Sequence, residues 1–223
     1  MIRLGRTLAF VIAASLATAA CAIGDPAGTP FPVALGKGTT LWLEGTSTMH
    51  DFESMTSNVD VKFTRDPRAA APTDVPSFCD LITAGHVQSV TLKVAVKSLK
   101  SGKDGLDKNL YKTMHADEFP SIDCKLTSYT ATPAKGDTVA IEAKGTLTVV
   151  GKEKPVTLTA RFVPTAAALA LEGKYSLKMS DYGIKPPTMM LGALKVGDKI
   201  TVRYKLQLIP GSETAAPVST QKN

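Results

Sequence analysis

The chain has 223 residues, with 26 Lys and Arg against 20 Asp and Glu, for a formal net charge of +6. At 43% hydrophobic and 21% charged residues the composition is globular, which excludes a wholly disordered chain. Its 17 glycines have no every-third-residue period, and its 3 cysteines are too few for a disulfide-dense mini-protein. No internal apolar run reaches the roughly 18 to 20 residues of a membrane-spanning helix.

The N-terminus reads as a secretory signal. Met1 to Arg6 is short and basic, and Leu8 to Ala20 is apolar and rich in small residues. Ala20-Cys21-Ala22 fits an A-x-A cleavage site, which makes 1–22 a signal peptide and places the mature protein in the periplasm. The alternative is a lipobox with an acylated Cys21, which anchors the protein to a membrane; Thr18 stands where that motif normally has Leu. Without Arg3 and Arg6, 24 basic residues face 20 acidic ones, for a net charge of +4. Residues 23–38 read as a linker, 39–210 as one β-barrel domain and 211–223 as a disordered tail.

From Thr39 to Leu208 apolar and polar residues alternate. Val90, Leu92, Val94 and Val96 alternate with Ser89, Thr91, Lys93 and Ala95; Val156, Leu158, Ala160 and Phe162 alternate with Thr157, Thr159 and Arg161. Leu169, Leu171, Gly173, Tyr175 and Leu177 form a third such run, and Ile200 to Leu208 a fourth. Side chains in a strand point alternately to opposite faces, so each run has one apolar and one wet face, the pattern of antiparallel sheets. The runs predict eight strands, near 39–47, 52–64, 87–98, 121–129, 138–150, 155–163, 168–179 and 198–209. Gly151 to Pro155 reads as a hairpin link, and Asp66 to Phe78, with three prolines, as a loop. Leu106, Leu110 and Met114 recur every four residues and predict a helix over 104–116, with Ser101 and Asp104 as a capping box and Pro120 as the stop. Its apolar stripe lies on the sheet or across its end.

Eight such strands form either a two-sheet sandwich or a closed barrel, and spacing alone does not separate the two. Closure suits long strands that are apolar on one side only. The expected fold is therefore all-β: an antiparallel eight-stranded barrel with one short helix between strands. Its inward residues carry few charges, so a cavity there suits a hydrocarbon chain. The candidate wall residues are Val90, Leu92, Val94, Leu158, Leu171 and Tyr175. The long segment Asp181 to Asp198, stiffened by Pro186-Pro187, is the candidate lid or plug, with Tyr182 and Met189 on its apolar side.

Little else suggests chemistry. No nucleophile-elbow, zinc-protease or phosphate-loop motif occurs, so no catalytic residue is assigned. The lysines are spread along strand faces, which speaks against a nucleic-acid patch. Met49, His50, Met189 and Met190 are of the types that suit Cu(I), but the two groups lie far apart and no metal is expected. His50-Asp51 reads as a locally bonded turn pair. Once Cys21 is cleaved or lipidated, Cys79 and Cys124 remain; an oxidising compartment favours a disulfide between them, the alternative being two buried thiols.

Four segments in order resemble the YceI-like family. Gly45-Thr46-Ser47-Thr48-Met49-His50-Asp51-Phe52 is similar to its first-hairpin signature G-T-S-T-x-H-D-W, with Phe52 for the usual Trp. Phe119-Pro120-Ser121-Ile122 resembles its step into a strand, Gly145 to Gly151 its G-x-L-x-x-x-G hairpin, and Asp181 to Asp198 its D-Y/F-G-I-x-P-P-T loop. Residues 65–86 are longer than usual and carry Cys79. The resemblance covers about 39 to 209. It implies an extended, lipocalin-like barrel in a periplasmic protein, with an apolar tunnel that in some members holds a polyisoprenoid or another amphiphile. It implies no catalysis and no cofactor beyond such a bound isoprenoid or fatty lipid. Two readings stay open, a lipid-binding module and a ligand-free structural or stress protein of the envelope, as does the choice between monomer and homodimer.

Overall fold

The computed structural model describes residues 28–189 and 194–211, with the side chains of 189 and 194 excepted. The signal segment, the tail beyond Gly211 and residues 190–193 lie outside the described residues. All eight expected strands are present. They are β3 (Thr40–Ser47), the pair β4 (Phe52–Thr56) and β5 (Val59–Arg65), β6 (Val87–Ala95), β7 (Ser121–Pro133), β8 (Val139–Val149), β9 (Lys152–Pro164), β10 (Leu169–Lys178) and β12 (Leu194–Pro210). The expected linker supplies two more, β1 (Thr29–Phe31) and β2 (Val33–Leu35), and the long loop supplies β11 (Thr188–Met189).

Every ladder is antiparallel, in the order β1-β5-β6-β7-β8-β9-β10-β12-β3-β4, with β2 and β11 also paired to β12. The hydrogen-bonded path is open, and the chain itself completes the circuit. The single run 52–65 bends at Ser57-Asn58, so that β4 pairs with β3 at one end of the sheet while β5 pairs with β6 at the other. The run 29–35 does the same further along: β1 pairs with β5 (Phe31 opposite Phe63), and β2 with β12 (Leu35 opposite Leu208). The result is a curled, lipocalin-like antiparallel barrel. The β8–β9 turn falls at Val150-Gly151, one residue earlier than the expected link, with both residues at positive φ (49° and 69°). Two successive positive φ values define the hairpin turn that matches strand twist, and glycine at the second position removes half its steric cost.

The ends are closed differently. At one end, helix α1 (Val75–Thr83) buries Val75, Phe78, Leu81 and Ile82. This segment overturns the loop reading of 66–78. Pro76 falls in the first helical turn, where a missing N–H costs nothing, and Asp74 caps the helix by accepting from the Ser77 amide at 2.9 Å. Phe78 is fully buried and meets Phe31 and Phe63 edge-on, at 5.7 and 5.5 Å between ring centres. At the other end, helix α2 (Asp104–Thr113) lies across the opening. Its cap is not the expected one: Ser101 donates its amide (2.8 Å) and hydroxyl (2.6 Å) to Asp107, one turn further on than Asp104. Those bonds hold the Asp107 carboxyl below its ordinary value.

The Cys79–Cys124 disulfide is not formed; both are free thiols. Cys79 sits on α1, whose Ile82 carbonyl accepts a hydrogen bond from the Tyr129 hydroxyl at 2.7 Å. Cys124 lies five residues along β7 from Tyr129, roughly 16 Å away at 3.3 Å per residue, and its side chain faces the barrel interior. A disulfide needs Cα atoms within about 7 Å. Burial pushes the Cys124 thiol up to about 11, so it stays protonated and unreactive. Thiol labelling of unreduced protein should therefore modify both cysteines after denaturation and spare Cys124 in the native state; a denatured protein without free Cys79 and Cys124 would contradict this arrangement.

Candidate functional site

The barrel is hollow between α1 and α2. A cavity of about 310 Å³ is walled almost wholly by apolar side chains. Val90, Leu92 and Val94 on β6, Leu158 on β9, and Leu171 and Tyr175 on β10 all line it, so the structure brings the six expected wall residues together. Along β12 the lining runs from Val196 to Leu208, most of the strand.

The burial pattern shows which side chains border this space. Near α1 the inward residues Leu169, Leu206 and Leu208 are fully buried, because they meet one another and the phenylalanines. Midway, Val90, Leu92, Leu158, Leu171 and Tyr175 point inward yet are only half-buried, their remaining surface facing the cavity. A filled core would bury both sets alike.

At the α2 end, Leu106, Leu110 and Met114 lay the expected stripe over the cavity. The 3-10 turn η (Met179–Tyr182) and the residues after it form a second cluster in which Met179, Tyr182 and Ile184 pack with Met114, Val149 and Ile200. Met179, Ile184, Pro187 and Val196 reach the cavity, so the described part of the 181–198 segment does close this end. Tyr182 is placed otherwise than expected. It is 3% exposed inside that cluster and lines a groove on the outer surface. Burial pushes its phenol up to about 12. Met189 ends β11, and its side chain lies outside the described residues.

The signature hairpin has a local explanation. The Ser47 hydroxyl accepts from the Met49 and His50 amides (3.3 and 3.2 Å) and donates to the His50 carbonyl at 2.7 Å, which folds the turn back on itself. The Thr48 amide donates to the Lys195 carbonyl at 3.0 Å, so this turn joins the rim of the same end. Among the described residues no group of three or more His, Cys, Asp or Glu is placed to hold a metal ion.

An antiparallel barrel that encloses an apolar cavity between a helical plug and a helical lid belongs to the lipocalin-like class. The model of the YceI-like domain matches residues 37–208, and the chain belongs to that family. Among solved structures the fold is similar to BcnA of Burkholderia cenocepacia, at 17% identity and a TM-score of 0.56, over 76% of this chain and 95% of that one. It is also similar to a polyisoprenoid binding domain from Saccharophagus degradans implicated in plant cell wall breakdown, at 10% identity and a TM-score of 0.57, over 81% and 99% of the two chains. No curated protein sequence matches the chain.

Proposed function

We propose that this chain is an exported, periplasmic binding protein that holds an isoprenoid or another apolar lipid in the barrel interior, and that it is not an enzyme. The observation that carries the reading is the cavity: a hollow, apolar interior in which inward side chains face empty space. Each methylene-sized unit moved from water into such a wall gains about 0.8 kcal/mol, so a long chain binds tightly with few polar contacts. The description of the Saccharophagus relative as polyisoprenoid-binding agrees with this chemistry. Export rests on the basic start and apolar, small-residue run of 1–22.

Titration of delipidated protein with farnesol, followed by displacement of an apolar fluorophore, tests the binding. Saturable displacement at one farnesol per chain is expected. A protein that takes up neither farnesol nor fluorophore would leave the barrel a structural element only. N-terminal sequencing of periplasmic material tests export: a chain starting at Ile23 supports it, a blocked and lipidated Cys21 supports the anchored form, and an intact Met1 overturns both.

A further inference from the structure

The barrel wall has a fork. β9 and β10 pair only from Leu169 opposite Pro164 to Gly173 opposite Ala160. Beyond Gly173 they part: residues 152–159 of β9 pair with β8 alone, and residues 174–178 of β10 with β12 alone. The fork is built into the sequence. Tyr204, opposite Gly173, crosses it to donate its hydroxyl to the Thr159 carbonyl at 3.0 Å. A Cβ on residue 173 would come within 2.5 Å of that hydroxyl and 2.6 Å of that carbonyl, so only glycine fits. Pro155, which lacks an amide donor, falls in the stretch of β9 that parts from β10 and pairs with β8 alone.

The turn η packs against β9, β10 and β12 around this gap. An outer groove lies there, lined by Lys154, Lys178, Lys199, Asp181 and Tyr182. Tyr175 and Leu177 line both this groove and the internal cavity, so the two spaces are separated by single side chains. On the outer face Lys205 meets Glu172 at 2.8 Å and Lys93 meets Asp123 at 3.4 Å, while, among the described residues, Lys125 and Arg161 stand without a carboxylate. Among the described residues Lys154 and Lys199 form no ion pair, and the Lys152 side chain lies against Gly183 beside them. Three lysines thus face Asp181 in the groove and, beside it, Asp198, whose carboxylate accepts from the amide and hydroxyl of Ser180 at 2.8 and 2.6 Å and interacts with Lys178.

We propose that the gap between β9 and β10 is a lateral exit through which the phosphate headgroup of a barrel-bound amphiphile reaches Lys154, Lys178 and Lys199. The proposal rests on the lipid-carrier reading and adds the class of ligand: an isoprenoid phosphate rather than a neutral isoprenoid.

The test compares farnesyl phosphate, farnesol and inorganic phosphate on the full chain, each by displacement of an apolar fluorophore or by calorimetry. Exposed ion pairs are worth up to about a factor of five each, so the phosphate ester should bind at least about tenfold more tightly than the alcohol. That ratio should shrink as salt rises. It should fall to about one in the Lys154→Gln, Lys178→Gln, Lys199→Gln triple variant, and persist in Lys125→Gln on the outer face of β7. Equal affinities for alcohol and ester, or a salt-independent ratio, would overturn the exit while leaving the lipid carrier intact. Inorganic phosphate binding as tightly as the ester would overturn it in favour of a free-phosphate site. Failure of both amphiphiles to bind would overturn the carrier and the exit together.

Discussion

A Leu171→Asp variant should fold and lose its lipid. Leu171 sits between Phe162 of β9 and Leu206 of β12, and its side chain faces the cavity. A carboxylate there finds no donor in the apolar wall when a hydrocarbon chain fills the space. Burying an unpaired polar group costs roughly 2 to 7 kcal/mol, so affinity for an apolar probe should fall at least about a hundredfold, or about 3 kcal/mol. The empty barrel tolerates the change better, because Leu171 is only half-buried and the cavity admits water beside the new charge. The same carboxylate on the wet face, as Lys125→Asp next in sequence to Cys124, should leave retention unchanged. Probe retention by folded Leu171→Asp would show that the barrel interior is not the binding site.

The largest loss of stability is expected at the opposite end. Phe78 is fully buried against Phe31 and Phe63, and it fixes α1 across the barrel. Truncating a buried phenylalanine to alanine costs about 3 to 5 kcal/mol, part of it the cavity left behind. For a domain of this size that corresponds to a fall in Tm of roughly 6 to 20 °C. A thermal melt of Phe78→Ala within about 3 °C of the native protein would show that α1 is a surface appendage rather than the plug of the barrel.

These two positions also mark what was legible in the sequence. Leu171 was readable because strand alternation is a local property: Leu169, Leu171, Gly173 and Tyr175 report a shared face without knowledge of any partner. The same logic placed Val90, Leu92, Val94 and Leu158 on the wall, and the four-residue period of Leu106, Leu110 and Met114 gave the lid helix. Phe78 was not readable as a core residue, because Pro72 and Pro76 mask a helix whose capping residue, Asp74, was the available signal. Strands β1 and β2 were missed because each has three residues and exists through long-range pairing with β5 and β12. The disulfide expectation rested on redox compartment, which says nothing about distance. The loop composition puts Tyr182 on the apolar side of a lid, whereas packing with Met179 and Ile184 draws it into a cluster away from the cavity. The fork between β9 and β10 had two local signs, Pro155 and Gly173, but a proline and a glycine on different strands acquire meaning only once register is known.

The central claim, that the hollow barrel carries a lipid, is tested most directly by native mass spectrometry of the protein purified from its own host, followed by organic extraction. The account predicts one apolar amphiphile per chain, with the same compound recovered in the extract. Ligand-free protein and an empty extract would contradict it.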